Sequence, residues 1–350
     1  MKIDTIAMGR PLAQVPGLVR EVEDCGFDGL WFTESGRTAY TGCTAAALTA
    51  EQLDIGTAVA LAFPRSPMVT AQIAWELAET TGGRFVLGLG TQVKAHIERR
   101  YSAEFEHPGS RLREYVLALR AIFAAFQGEE PLDFHGDFWS FDLLPRMWSP
   151  GPIDVAAPPI YVAAVRPWSA RMAGEVADGI HVHPFHSMRY LEEVTLPAIR
   201  DGAAAAGRDA DDVAIVCPVM AIIGDTEAER AAARDETRLR IAFYGSTRTY
   251  HGVFDLHGWE GTSDRLHELQ RAGDLSAMAA TITDEMLDAY SLETTWDGLS
   301  DALLAKYGDL ADRVIMYDAT GGWSYGDGTL DRWRAVTSAI SAAAGTAATS

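Results

Sequence analysis

Short apolar runs alternate with amphipathic helical patterns along most of the chain, and this alternation limits the possible folds more than any other feature. Runs with the character of buried strands span residues 3–8, 30–32, 55–63 and 85–89. The segments between them are long enough for helices, and one repeats apolar residues at helical spacing from Leu12 to Val22. A strand–helix–strand order of this kind is typical of a parallel sheet.

The same alternation resumes after residue 158. Further strands are predicted at residues 160–164, 180–182, 213–223 and 314–317. Two excursions interrupt the pattern, a proline-rich one at about 129–158 and a Gly-, His- and Asp-rich one at about 244–280, and neither has the composition of a linker. Eight strands with helices between them favour a (β/α)8 barrel, or TIM barrel, over an open sheet. We therefore predict one α/β barrel domain over residues 1–342 and a flexible tail at 343–350.

The charge balance and the cysteines narrow the classes of partner. The chain has 49 acidic and 29 basic residues, a formal net charge of −20, and such a chain repels nucleic acid and anionic lipid. Its three cysteines show no CxxC spacing, which fits a reducing compartment better than a disulfide framework. There is no membrane-length apolar run and no signal-peptide pattern. We expect a cytoplasmic protein that acts on a small molecule and binds neither nucleic acid nor membranes.

In such a barrel the chemistry lies beyond the C-terminal ends of the strands. Glu34 directly follows the second predicted strand, where a carboxylate can act as an acid or base; a structural hydrogen bond to a neighbouring loop is the alternative. After the fourth strand, the segment TQVKAHIERRY contains Lys94, His96, Arg99 and Arg100 in an otherwise acidic chain. These residues predict a site for a phosphate or carboxylate, and a solvated helix surface is the alternative.

Three histidines, His181, His183 and His186, follow or end the sixth predicted strand. Two histidines spaced two apart on a strand point to the same face, which is one way to hold zinc. No third ligand is evident nearby except Asp178, so we predict no metal site. A metal-dependent barrel hydrolase that uses this cluster is kept as an alternative function, which metal analysis would distinguish.

Several segments, in their order along the chain, resemble the luciferase-like monooxygenase family. They are GFDGLWFTE after the first helix, then IGTAVALAFPRSPMVTAQIAWELAETT, GGRFVLGLGTQ, PPIYVAAVRP and GEVADGIHVHPF. The resemblance extends from residue 1 to about 320. The segments AFPRSP and GTQVKAHIERR are most similar to the actinobacterial branch of the family that is assigned to the deazaflavin coenzyme F420.

This resemblance implies a barrel that binds F420 or FMN with the ring at the C-terminal mouth, and it implies a homodimer, as in many members. It implies a non-prolyl cis peptide at Ala58-Val59, against the face of the ring. The other cofactor-binding positions that it implies are Thr91, Gln92 and Val93 beside the ring or its side chain, and Ala163, Ala164, Val165, Arg166 and His183 beside the ribityl phosphate.

The chain departs from the family pattern at two positions. Several relatives have an acid–His pair after strand two, where this chain has Glu34-Ser35, and deazaflavin dehydrogenases of sugar phosphates have a glutamate where this chain has Val93. A sugar-phosphate dehydrogenase mechanism is therefore not implied, and Glu34 is the aligned candidate for the catalytic acid or base.

The leading hypothesis is an F420-dependent oxidoreductase that passes a hydride between the deazaflavin C5 carbon and an organic substrate. An FMN-dependent monooxygenase supplied with reduced flavin by a partner reductase is the second hypothesis. A barrel that binds a deazaflavin without turnover is a further alternative.

Overall fold

A closed barrel of eight parallel strands forms the centre of the computed structural model, which describes residues 1–317 and 328–347. The strands are β1 (Lys2–Ala7), β2 (Gly29–Phe32), β3 (Asp54–Thr57), β4 (Phe85–Gly90), β5 (Ile160–Ala164), β6 (Gly179–Val182), β7 (Ala214–Val219) and β8 (Arg313–Met316). Each strand pairs with the next along the chain, and β8 closes the ring on β1 with Lys2 opposite Arg313. The predicted TIM barrel is confirmed.

Helices surround the barrel and connect its strands. They span Val15–Asp24, Ala39–Ala47, Pro67–Thr80, Lys94–Arg100, Pro108–Gln127, Pro167–Val176, Met188–Tyr190, Leu196–Ala205, Glu227–Gly245, Gly252–Asp255, Thr262–Ala272, Leu275–Thr281, Asp284–Tyr290, Leu299–Tyr307 and Thr329–Ala347. A π-helical turn, Leu191–Thr195, and short 3-10 turns at Leu12–Gln14, Arg146–Trp148, Ala210–Asp212 and Arg248–Tyr250 complete the connections.

Local sequence signals set several helix ends. Ser66 caps the helix Pro67–Thr80 by accepting a hydrogen bond from the backbone N–H of Met68, and the proline at the first helical position needs no donor there. Thr226 and Glu229 form a reciprocal capping box at the start of Glu227–Gly245. These caps fix where the chain turns from the loops at the barrel mouth into the outer helices.

Two layers of side chains fill the barrel interior, a charged layer at the N-terminal end and an apolar layer above it. The Arg313 guanidinium donates to Asp4 at 2.6 and 2.8 Å and to Asp54 at 2.6 Å, and the Trp31 indole N–H also donates to Asp4, at 2.8 Å. Beyond this cluster lies an apolar layer formed by Ile6, Trp31, Val86, Tyr161, Val216 and Ile315. Because both layers are buried, a ligand can approach the barrel interior only from the C-terminal mouth.

The first excursion contains a short hairpin, Phe134–His135 with Ser140–Phe141, which turns at residues 136–139. Its turn wraps the Glu114 carboxylate, which accepts hydrogen bonds at 2.8 Å from the backbone N–H groups of Asp137, Phe138 and Trp139. The hairpin is thereby tied to the helix Pro108–Gln127.

The second excursion is mainly helical. Its helices pack around a hydrophobic cluster separate from the main core, formed by Phe185, Tyr190, Met220, Ile222, Ile241, Ala242, Val253, Phe254, Leu266, Met278, Ile282, Met286, Leu287 and Tyr290. The run predicted as one strand at residues 213–223 divides at Met220. After β7 the chain leaves the barrel and Ala221–Ile223 pairs in parallel with Leu292–Thr294, which frames this excursion.

Two other boundaries differ from the sequence predictions. The run predicted as a strand at residues 55–63 is interrupted after β3 by a cis peptide at Ala58-Val59, and Ala60–Leu61 then pairs with the end of β4. The last helix continues to Ala347, so residues 343–347 of the expected tail are helical, and residues 348–350 lie outside the described part of the chain. Within the described residues, no helix is both long and apolar enough to span a membrane.

Candidate active site

The predicted site residues lie at one end of the barrel, because parallel strands bring the loops after their C-terminal ends together. Glu34 follows β2, the Ala58-Val59 pair follows β3, and the segment 91–93 follows β4. Ala163 and Ala164 end β5, Val165 and Arg166 follow it, and His183 is the first residue after β6. The peptide bond between Ala58 and Val59 is cis, as the resemblance implied.

The central floor of the mouth is built from residues with little or no side chain. Gly90 ends β4, and a Cβ atom placed there would lie 2.6 Å from Val59 Cγ2 and 3.7 Å from the Cβ of Ala163. One layer deeper, a Cβ on Gly88 would overlap the carbonyl oxygen of Thr57 and lie 2.7 Å from His181 Nε2. The glycines therefore allow Val59, the Thr57 backbone and His181 to pack directly against β4.

Glu34 is buried and fully engaged. One carboxylate oxygen accepts from Arg65 Nη2 at 2.6 Å, and the other accepts from Arg65 Nη1 at 2.9 Å and from the backbone N–H of Leu61 at 2.8 Å. The Glu34 side chain is only 2% exposed. The structural hydrogen bond considered as the alternative is thus present, and it connects the loop after β2 to the segment that follows the cis peptide.

The segment after β4 is more exposed. Gln92 has a left-handed backbone (φ 58°), and its side-chain oxygen accepts a hydrogen bond from the Val93 N–H at 3.0 Å. Thr91 donates its hydroxyl to the Gln92 carbonyl at 3.1 Å. These local bonds hold the turn between β4 and the helix Lys94–Arg100, and Val93 remains 37% exposed at its start.

The four basic side chains of the next helix have different surroundings. Lys94 pairs with Glu98 at 3.4 Å, and Arg100 donates to the Ser35 carbonyl and stacks on Tyr101. Arg99 and His96 are exposed, with no hydrogen-bond or ion-pair partner among the residues that the structure describes. The segment therefore forms part of the rim, and Arg99 is its most available cation.

On the opposite side of the mouth, aromatic side chains surround His183. Its ring lies 4.9 Å from the rings of both Tyr244 and Tyr250. Its Nδ1 accepts the Phe185 N–H at 3.1 Å, so in the neutral imidazole the proton is on Nε2. Burial and the neighbouring His186 lower the pKa of His183 to about 3. The residue is therefore a neutral N–H donor near neutral pH.

Arg166 lies beside this aromatic group. Tyr190 donates its hydroxyl to the Val165 carbonyl at 3.1 Å, which fixes the end of the β5 loop. Burial raises the pKa values of Tyr190 and Tyr250, and the positive charge of Arg166 opposes both shifts. The structure thus brings the predicted residues 163–166 and His183 into one region, and it adds Tyr250 and Tyr190, which sequence reasoning missed.

The three histidines of the HVHPFH segment do not share one site. His181 faces the barrel interior, packed against Trp31 and Tyr161 at ring distances of 4.9 and 5.7 Å, and burial lowers its pKa to about 3. Both of its ring nitrogens lack hydrogen-bond partners within the described residues. His186 instead donates its Nδ1–H to the His183 carbonyl, 2.8 Å away. In residues 1–317 and 328–347 no three His, Cys, Asp or Glu side chains form a group that could hold a metal ion.

Comparison with known proteins gives matches over most of the chain. The family described as luciferase-like monooxygenase matches residues 2–313. An uncharacterized protein of Mycobacterium tuberculosis is 40% identical over 304 residues, covering 87% of this chain and 89% of the relative. A 5,10-methylenetetrahydromethanopterin reductase of Archaeoglobus fulgidus is 29% identical over 83% of this chain and 85% of the relative. A putative coenzyme F420-dependent oxidoreductase of M. tuberculosis is 29% identical over 77% of this chain and 81% of the relative.

Solved structures share the fold at lower sequence identity. The coenzyme F420-dependent tetrahydromethanopterin reductase from Methanopyrus kandleri has a TM-score of 0.75 at 19% identity, covering 97% of this chain and 98% of that one. The oxygenating constituent of 3,6-diketocamphane monooxygenase from Pseudomonas putida, in complex with FMN, has a TM-score of 0.64 at 15% identity, with coverage of 97% and 98%. These similarities show that the chain shares the overall fold of these proteins.

Proposed function

Because the chain belongs to the luciferase-like monooxygenase family, we propose that it is a coenzyme F420-dependent oxidoreductase acting on a small organic substrate. The observation that carries this proposal is the close packing of Val59, Gly90 and Ala163 after β3 and at the ends of β4 and β5, which gives the mouth a floor of small apolar groups on which a flat ring would lie. Two relatives add support, because one is named an F420-dependent oxidoreductase and the other a methylenetetrahydromethanopterin reductase.

The proposed ring site uses backbone and small side chains rather than charged groups. Ala58 and Val59 would contact one side of the ring, with Gly90 and Ala163 packed beside Val59. Thr91, Gln92 and Val93 would border the ring where β4 turns into the next helix. A deazaflavin bound here supplies a hydride donor or acceptor at its C5 carbon. The protein contributes orientation and exclusion of water from a surface closed below by the apolar layer.

The phosphate end of the cofactor is proposed to lie across the mouth, at residues 163–166 and His183. The Arg166 guanidinium supplies positive charge, and the neutral His183 offers an Nε2–H that can donate to a phosphate oxygen. Tyr250, held 4.9 Å from the His183 ring, adds a phenolic hydroxyl to the same region. This donor set suits a phosphate monoester or diester.

We propose that Glu34 positions the segment after the cis peptide and does not transfer a proton. Both of its oxygens are occupied by the Arg65 guanidinium and the Leu61 N–H, so proton transfer would first require those bonds to break. The acid–base role predicted from the sequence is revised on this ground, and the group that supplies a proton to the substrate is left unassigned.

The test is a binding titration of the purified protein with F420 and with FMN, side by side, followed by cofactor absorbance or fluorescence. We expect F420 to bind at micromolar affinity or tighter and FMN at least tenfold more weakly, which corresponds to about 1.4 kcal/mol. Oxidation or reduction of bound F420 with candidate substrates would then separate an enzyme from a barrel that only binds the cofactor. Equal or tighter binding of FMN would favour the flavin monooxygenase, the second hypothesis drawn from the sequence.

A further inference from the structure

A cavity of about 270 Å³ opens at the barrel mouth between the loops that follow β1 and β2. Its walls come from three stretches: the β1 loop with Gly9 and Arg10, the β2 loop with Thr33 and Arg37, and the start of the helix Ala39–Ala47. Sequence reasoning did not identify it, because its two arginines belong to loops that are adjacent only in the closed barrel. None of the residues placed above in the ring or phosphate sites lines it.

The described lining of this cavity is opposite in charge to the protein as a whole. Arg10 and Arg37 line it together with three threonines, and no aspartate or glutamate of residues 1–317 and 328–347 is among them. The whole chain has 49 acidic residues against 29 basic ones. The nearest carboxylate in sequence, Glu34, is neutralised by its two-point contact with Arg65. Arg37 therefore brings positive charge to a cavity whose described lining has no acidic side chain, in a protein that is acidic overall.

Arg37 is oriented for a further contact. Its Nε donates to the Gly9 carbonyl at 3.0 Å, which anchors the guanidinium at the edge of the cavity. Among the residues that the structure describes, no hydrogen-bond acceptor is found for its two terminal nitrogens. A guanidinium held through Nε and with both terminal nitrogens available has the geometry for a two-point bond to a carboxylate or phosphate.

The opposite wall adds polar donors. Thr38, the residue before the helix Ala39–Ala47, makes no side-chain bond to the helix N–H groups, because its hydroxyl pairs with that of Thr41 at 2.7 Å. The first N–H groups of the helix are thus without a side-chain cap. Thr33 also lines the cavity, although its hydroxyl oxygen is out of solvent contact; that oxygen has no hydrogen-bond partner within the described residues. The Arg37 guanidinium and the uncapped helix N–H groups together favour an anion.

We propose that this cavity binds the anionic group, a carboxylate or phosphate, of the substrate, with Arg37 as its principal contact. The strand order supports the assignment to substrate rather than cofactor. In the closed ring, β1 and β2 lie across the barrel from β5 and β6, where the cofactor phosphate is proposed to bind. The ring site on β3 and β4 lies next to β2, so a small acid held in the cavity would reach over the proposed ring site. The inference rests on the proposed function for the location of the cofactor, but the binding of an anion at Arg37 does not depend on it.

The experiment measures binding of inorganic phosphate and of malonate by calorimetry, with chloride at matched ionic strength as the reference. It uses the full chain, Arg37→Gln, Arg37→Lys, and Arg20→Gln as a matched control. Arg20 is an exposed arginine on the helix Val15–Asp24, outside the cavity. We expect at least a fivefold loss of affinity in Arg37→Gln, a smaller loss in Arg37→Lys, which keeps the charge but not the two-point geometry, and no change in Arg20→Gln. Thermal unfolding of each variant shows whether it is folded.

A second arm repeats the phosphate titration with the protein saturated with F420, and a third measures F420 binding to each variant. Unchanged phosphate affinity in the presence of F420 supports a substrate subsite, whereas competition shows that the cofactor reaches the cavity and overturns that assignment. Equal anion affinity in Arg37→Gln and the parent overturns the proposal, and so does the absence of anion binding by the parent at an ionic strength of about 50 mM, where such contacts are screened less than at physiological salt. Failure of F420 to bind the parent would instead contradict the proposed function and leave the anion result to stand on its own.

Discussion

Glu34 and Arg65 form a two-point ion pair across the mouth of the barrel, at 2.6 and 2.9 Å, with the glutamate side chain almost wholly buried. Removing one partner of such a pair leaves a buried charge without compensation, which is more costly than losing a surface pair. The same glutamate holds the Leu61 N–H, so the pair also determines the position of the segment beside the ring site.

We therefore expect Glu34→Gln to lower the free energy of unfolding by about 3 kcal/mol, measured by urea denaturation. The matched control is Glu175→Gln, because Glu175 pairs with Arg113 at 2.5 Å with both side chains partly exposed; this change should cost less than about 1 kcal/mol. If Glu34→Gln kept parental stability and F420 affinity but lost turnover, the positioning role would be wrong and a direct role in proton transfer would be supported.

His181 should make the protein less stable in acid. Its folded-state pKa of about 3 lies below the ordinary value near 6.5. Between these values the unfolded chain binds a proton that the folded chain does not, so the free energy of unfolding falls as the pH drops through this window. His181→Leu removes this proton-binding site. It should therefore reduce the slope of the unfolding free energy against pH by up to about 1.4 kcal/mol per pH unit, the value for one proton. Denaturation midpoints at several pH values check this; an unchanged slope would show that His181 is protonated in the folded barrel.

Alanine substitutions at Gly88 and Gly90 should have different effects, the first mainly on stability and the second mainly on cofactor binding. A methyl group at Gly88 overlaps the Thr57 backbone, so Gly88→Ala should cost about 3 kcal/mol or prevent folding. At Gly90 the obstacle is the end of the Val59 side chain, which can move, so Gly90→Ala should cost less but weaken F420 binding at least fivefold. Gly17→Ala serves as a control, because nothing lies within 4 Å of the added Cβ and helix propensity favours alanine by up to about 1 kcal/mol. Full F420 affinity in a folded Gly90→Ala protein would move the ring site elsewhere.

Lys94 and Arg99 should contribute a salt-sensitive part of F420 affinity. Both lie on the exposed helix after β4. The anionic tail of F420 could reach them where it leaves the pocket. Their double substitution by alanine should weaken F420 binding several-fold at low ionic strength. The difference between the parent and the double mutant should shrink at ~0.5 M salt, where the Debye length is only a few ångström. A cofactor without its tail should bind parent and double mutant alike. Identical F420 binding at low salt would assign the segment to an ordinary solvated surface.

The alternation of strand and helix patterns was sufficient to predict the barrel, because each parallel strand is buried on both faces and each helix must cover one of them. It was less informative where the chain leaves this arrangement. Residues 244–280 are rich in glycine and polar residues, yet they fold into helices because apolar residues such as Val253, Phe254 and Leu266 pack against Phe185 and Met220. Those partners are distant in sequence, so periodicity alone did not show the helices.

The site was predictable to the same limited extent. Positions such as Glu34 and His183 could be located, because the ends of successive strands meet at one mouth. Their partners could not be located from the sequence. Arg65 lies in the segment AFPRSP, but it is 31 residues away from Glu34 along the chain. Tyr250 belongs to the second excursion and reaches His183 only through the packing of that excursion onto β6 and β7. A signal that was available is the aromatic content of residues 244–259, which include Tyr244, Tyr250 and Trp259.

The short parallel pair of Ala221–Ile223 with Leu292–Thr294 has a consequence for how this barrel can vary. The chain departs and returns on two adjacent hydrogen-bonded strands, about 5 Å apart. The intervening residues pack in a cluster separate from the main core, together with Phe185, Tyr190 and Met220. The segment between Ile223 and Leu292 is thus an insertion whose two ends lie next to each other. It can change length or sequence without altering the register of β7 or β8, and because it carries Tyr244 and Tyr250, such a change would reshape one wall of the mouth while the floor stays the same.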